Sequence, residues 1–132
     1  MKFKVLVVLF FGGFLLHSQE KPQISTMEFV EILNNNKAEA LYYFKNNWKV
    51  LREKALAKDD ITGFNLMESK KSEESPFDLI LMTSYANKEK YMNREQAFQA
   101  LISQSGGLKL LNKKKPSEFR RSVFAIDSIK HQ

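Results

Sequence analysis

Residues 77–84 do not suit a sheet that meets water on one side. In an extended chain Phe77, Leu79 and Leu81 share one face, and Ile80 and Met82 share the other. A half-solvated antiparallel strand alternates apolar with polar instead. The last strand-like segment, Phe119 to Ile129, repeats the pattern, with Val123 and Ala125 on one side and Phe124 and Ile126 on the other. Whatever this chain folds into must cover both faces of a sheet.

One cover is legible as a helix. Asn36 to Lys58 contains no glycine or proline, and Leu41, Phe44, Trp48, Leu51 and Ala55 recur at spacings of three and four, which places them on one helical face. Some 22 residues give a helix of roughly 33 Å. Asn36 with Glu39 three places on predicts a capping box at its start. Lys54 and Lys58 suit the negative end of the dipole, and Asp59-Asp60 breaks the pattern. Trp48, inside the stripe, reads as core or subunit interface.

Before this helix, Phe29 to Leu33 suits a strand that ends at the turn Asn34-Asn35-Asn36. Ser25 with Glu28 could instead cap a helix, but seven residues closed by three asparagines favour the strand. After the helix, Ile61 to Glu68 reads as a second strand and residues 69–76 as a polar loop. Tyr85 to Gln104 is a turn and then a helix, with Asn87 and Asn93 as starting points and Phe98, Leu101 and Ile102 on its apolar face. Ser105-Gly106-Gly107 ends it. Leu108 to Ser117 is a connector of undefined structure around three lysines and Pro116.

The order strand, helix, strand, strand, helix, strand is that of an α+β, ferredoxin-like βαββαβ fold: a four-stranded antiparallel sheet with two helices on one face. The helices account for one face only. The simplest cover for the other is the same face of a second subunit across an isologous two-fold, giving a barrel shared by a homodimer. A monomer whose open face holds a ligand is the alternative.

Three stretches, Asn47-Trp48-Lys49, Ile61-Thr62-Gly63-Phe64 and Phe77-Asp78-Leu79-Ile80-Leu81, make the chain resemble the dimeric α/β-barrel (ferredoxin-like) superfamily. The likeness spans most of residues 27–129. That group includes antibiotic-biosynthesis-type monooxygenases, stress-responsive barrel proteins and small exported bacterial members of unassigned role, which this chain resembles most. The resemblance implies a barrel with an apolar interior. Haem-degrading members use an axial histidine that has no counterpart here.

The N-terminus carries an address. Lys2 and Lys4 precede an apolar run of twelve, Val5 to Leu16, and then His17-Ser18-Gln19-Glu20, the pattern of a secretory signal peptide. As a helix twelve residues rise only about 18 Å, against a hydrocarbon core of roughly 30 Å. We therefore expect residues 1–18 to be a cleaved signal, 19–26 a flexible lead-in and 27–130 a single α+β barrel domain. The mature chain then lies in the periplasm or outside the cell, with no stable membrane span. Residues 19–104 hold 12 basic and 13 acidic side chains, so the net +6 comes from the signal and from residues 105–132, with seven basic and two acidic. A solvated turn and a guarded edge strand explain that cluster, and export argues against nucleic acid.

The chain has no cysteine and two histidines. His17 leaves with the signal, and His131 is next to last, where chains are ordinarily disordered. Thiolate metal sites, histidine–metal sites and Ser–His–acid triads are thus not expected; neither is a metal or a cofactor. Gly106-Gly107 lacks the lysine and spacing of a phosphate loop. On the strands Glu31, Asn65 and Asp127 remain as candidate ligand-binding groups. By parity, Asp127 is expected to share a face with Val123, Ala125 and Ile129. No residue is singled out as catalytic. Two functions stay open: an exported barrel that binds a small apolar molecule or a partner, and a cofactor-independent monooxygenase-like or isomerase-like enzyme for an aromatic or quinone-like substrate.

Overall fold

A computed structural model describes residues 22–132. The expected signal peptide and residues 19–21 of the lead-in lie outside them. Four strands form one antiparallel sheet: β1 (Ile24–Ile32), β2 (Gly63–Glu68), β3 (Leu79–Tyr85) and β4 (Arg120–Lys130), in the order β2-β3-β1-β4. Helical segments α1 (Lys37–Tyr43) and α2 (Lys49–Ala57) are joined by a π-helical stretch, Phe44–Trp48. Next come α3 (Lys88–Met92), α4 (Arg94–Ser103) and the short α5 (Pro116–Phe119). This is the α+β, ferredoxin-like βαββαβ arrangement that the periodicities predict. No helix among the described residues is long and apolar enough to cross a membrane.

Strand pairing fixes which side chains meet the helices. Val30 lies opposite Leu79 and Glu28 opposite Leu81, while Leu66 lies opposite Leu81 and Phe64 opposite Thr83. Val30, Leu79 and Leu81 are buried with Phe44 in one cluster, and Ala55, Ile61, Tyr85 and Leu101 form a second. The long amphipathic segment covers β2, β3 and half of β1, as its apolar stripe requires. The opposite parity carries Met27, Phe29, Ile80 and Met82, with Phe124 opposite Phe29 and Ile126 opposite Met27. Neither core cluster reaches that face, whose Met27, Phe29, Ile80 and Met82 are half-buried. Phe29 stacks on Phe124 with centroids 4.3 Å apart, and Phe77 closes on Phe29 edge-on at 4.8 Å. Met67, Phe124 and Ile126 remain 37%, 44% and 43% exposed.

Several local expectations need correction. β1 begins at Ile24, inside the stretch expected as a lead-in, because Ser25 and Thr26 pair with Ser84 and Thr83 of β3. Asn36 makes no side-chain cap on α1; its amide donates to the Glu118 carbonyl at 3.0 Å and its Oδ1 accepts from Lys114 Nζ at 2.6 Å. Glu39, 8% exposed, accepts from Asn112. One of the three connector lysines is thus turned inward as a fastener, and α5 replaces the undefined end of the connector.

The long helix is not uniformly α. Asn46 and Asn47 turn their side-chain amides back onto the Tyr42 and Tyr43 carbonyls at 2.8 and 2.9 Å, a local competition that asparagine offers to helix backbone. Asn47 also exchanges two hydrogen bonds with the Lys109 backbone, at 2.7 and 2.8 Å, tying the connector to the helix. Single-turn π segments often mark functional positions. This one ends at Trp48.

Candidate functional site

The helices on one face of the sheet leave most of β4 exposed. Between α2, α4 and the β1–β4 side of the sheet lies a cleft of about 540 Å³, within the usual range for small-molecule sites. Its floor is Thr26 and Glu28 of β1, Leu81, Thr83 and Tyr85 of β3, and Ala125 and Asp127 of β4. Ala125 opens the floor because it brings so little side chain to the position opposite Glu28. Trp48 and Arg52 form one wall, and Arg94, Glu95, Phe98 and Ile102 of α4 form the other. A smaller cavity of about 270 Å³ lies behind Trp48, under the connector at Ser105 to Lys109.

Polar chemistry in the main cleft centres on Arg52. Its guanidinium carbon lies over two rings, 4.6 Å from the Trp48 centroid and 4.1 Å from that of Phe98, and its Nε donates to Thr83 Oγ1 at 3.3 Å. Burial lowers its pKa to about 10, partly offset by the nearby Tyr85 and Glu28. It remains cationic at neutral pH. Burial also raises the Tyr85 phenol above its ordinary value, so Tyr85 is a neutral hydrogen-bonding group there. Glu28 is engaged by Arg120 at 3.4 Å. Arg94 is tied to the Tyr91 carbonyl at 3.0 Å and lies over the Tyr91 ring.

The three residues singled out on the strands are not brought together. Asp127 lines the cleft but is exposed. Ile129 does not share its face: Ser128 adopts φ +57°, and a bulge sets Ile129 opposite Ser25 while Ile126 sits opposite Met27. Asn65 is exposed on β2, opposite Met82, on the face away from the helices. Glu31 lies at the margin of that same face, where Lys71 Nζ donates to it at 2.7 Å and Arg121 forms a second ion pair.

Those two hydrogen-bonded cations lower the Glu31 pKa from 4.5 to about 2. A depressed folded-state value stabilises the fold above the unfolded pKa and loses that effect as pH falls through the folded one. The contribution of Glu31 is therefore full above pH 4.5 and declines from 4.5 towards 2. In urea melts, Glu31→Gln is expected to be less stable than wild type at neutral pH, with the gap closing across that window. High salt should narrow it too. A gap that stays constant with pH would contradict this reading.

His131 is a further correction to the expectation that the folded body lacks histidine. Its backbone N–H donates to the Gln23 carbonyl at 3.2 Å, and its Nε2 lies 2.6 Å from Ser25 Oγ, which is in turn 2.7 Å from Ser84 Oγ. Ser25 and Ser84 are 1% and 6% exposed while His131 is exposed, so this contact fastens the last residues to the end of β1. Among the described residues no group of three or more His, Cys, Asp or Glu could hold a metal ion.

Arg52 was not among the strand candidates. Its signal was a charged residue inside an apolar helical stripe, one turn after Trp48 and beside Leu51.

No family model and no curated protein sequence matches the chain. Among solved structures, the crystal structure of HapK from Hahella chejuensis matches with a TM-score of 0.47 and 10% sequence identity, over 78% of this chain and 88% of that one.

Proposed function

We propose that this chain is an exported member of the dimeric α/β-barrel superfamily, a homodimer that binds a small, mainly apolar molecule. The sheet divides the two tasks. Its helix-free face associates with the same face of a second copy, and its helix-covered face holds the ligand in the cleft of each subunit. This moves the binding site from the helix-free side, where the sequence pattern alone would put it, to the helix side.

The observation that carries the ligand reading is the cleft itself, walled by Trp48, Phe98 and Ile102 with a few convergent polar groups on its floor, the usual composition of a small-molecule site. Support for self-association comes from the exposed Met67, Phe124 and Ile126 around the stacked phenylalanines. Contiguous apolar patches of this kind mark interaction surfaces. Charges of both signs at the margin, Glu31 beside Lys71 and Arg121, allow the face to match its own copy.

A cofactor-independent oxygenase or isomerase is the weaker reading. Asp127 is placed in the cleft but is exposed, and Glu31 is committed to two cations outside it. Native mass spectrometry of the protein purified from its host tests the proposal. The expected species is a dimer that carries a retained small molecule, released on denaturation. A bare monomer would sink both halves.

A further inference from the structure

The cleft's charges are not all spoken for, and the exception points to the ligand. The Arg52 guanidinium lies over the Trp48 and Phe98 rings, its carbon 4.6 Å and 4.1 Å from their centroids, and Nε is given to Thr83. What remains is the outer edge, where Nη1 and Nη2 present four N–H groups in one plane. Among the described residues Arg52 makes no other hydrogen bond and forms no ion pair. Arg52 is half-buried, so this edge opens to the cleft and is held partly out of water without a protein partner. The nearest carboxylate in the cleft, Glu28, already answers Arg120. Glu95 and Asp127 are exposed, where water screens them. The other cleft cation, Arg94, is held by Tyr91.

We propose that the cleft takes a small molecule with a carboxylate or similarly planar oxyanion on a flat apolar body, and that Arg52 receives the anionic end. The coplanar N–H edge matches two carboxylate oxygens at once, while Phe98 and Ile102 supply the surface for the apolar body. The assignment rests on the cleft reading above and adds a charge to it.

The test uses 1-naphthoate and 1-naphthamide, which share a ring system and differ in charge, titrated into the purified protein. Trp48 is the chain's single tryptophan and forms a cleft wall, so its emission reports binding. Naphthoate is expected to bind at least about tenfold more tightly than the amide, the usual worth of a charge-assisted pair. Arg52→Gln should remove that preference, the acid losing at least about tenfold more affinity than the amide; Arg52→Lys should keep part of it, since an ammonium lacks the planar fork. Equal binding of acid and amide by wild type overturns the charge assignment and leaves the cleft reading standing. So does an Arg52→Gln variant that still prefers the acid. Quenching by neither probe overturns both. If Arg52→Gln fails to fold, the wild-type comparison and its loss at high salt decide the matter.

Discussion

Phe44→Ala is expected to take a large share of the protein's stability. Phe44 is 2% exposed and packs with Val30, Leu79 and Leu81, beneath the point where the helix turns from α to π. Its ring also meets Tyr43 edge-on at 5.1 Å. Truncation forfeits the transfer free energy of the ring and leaves a hole between a helix and two central strands that are paired on both sides. Changes of this kind cost about 3–5 kcal/mol. Against a total of about 5–15 kcal/mol for a single domain, that is a large share, and Tm should fall by about 10–20 °C. Leu56→Ala, on the same helix but 41% exposed, should change stability by about 0.5 kcal/mol or less. Thermal melts followed by circular dichroism compare the two. A Phe44→Ala melt within a few degrees of wild type would contradict the packing described here.

Phe124→Asp is expected to separate the subunits without unfolding them. Phe124 sits on the edge strand β4, 44% exposed, stacked on Phe29 and edge-on to Phe77 at 6.2 Å. Within one chain the substitution removes a half-exposed ring and leaves the helix-side core untouched. In a homodimer built on this face, every copy contributes one carboxylate to an apolar interface, and the two-fold doubles the number. Burying an unpaired charge costs several kcal/mol, enough to weaken association by about a hundredfold or more. Sedimentation equilibrium at micromolar concentration should give the dimer mass for wild type and the monomer mass for Phe124→Asp, with its far-ultraviolet dichroism retained. A wild-type protein that sediments as a monomer would remove the basis of the prediction.

Much of the fold was legible because its periodicities differ so clearly. The three-and-four spacing from Leu41 to Ala55 and the two-sided apolar runs in β3 and β4 are enough to order the elements and to require two covers. What escaped the pattern was local chemistry. Ser25 and Thr26 look like a polar leader, yet each has a partner in β3. Asn46-Asn47 inside a helix was a visible signal of competition for the backbone, though the π segment it accompanies depends also on Lys109, 62 residues away. The parity argument for Asp127 failed at Ile129 because a residue at positive φ, Ser128, breaks the alternation on which such counting depends.

The cleft was less legible than the sheet. Arg52, Phe98 and Ala125 come from three elements, and their meeting depends on which part of the sheet the helices leave bare. No spacing within one segment reports that. The sequence did show an arginine in an apolar stripe, and a charge in such a place is worth following. His131 shows the reverse: a terminal residue is expected to be loose until the strand before it is seen to run to Lys130.

If the two faces of the sheet have different occupants, the methionines on them differ in their access to solvent. Met67 and Met92 are both exposed in the single chain, at 37% and 64%; Met67 lies on the helix-free face, opposite Ile80, and Met92 closes α3 on the other side. Methyl NMR in the presence of a soluble paramagnetic relaxation agent distinguishes them in one spectrum. The agent is expected to broaden Met92 and spare Met67 in wild type, and to broaden both in Phe124→Asp. Equal broadening of Met67 and Met92 in the wild-type protein would show that the face is bare in solution, with no second copy on it.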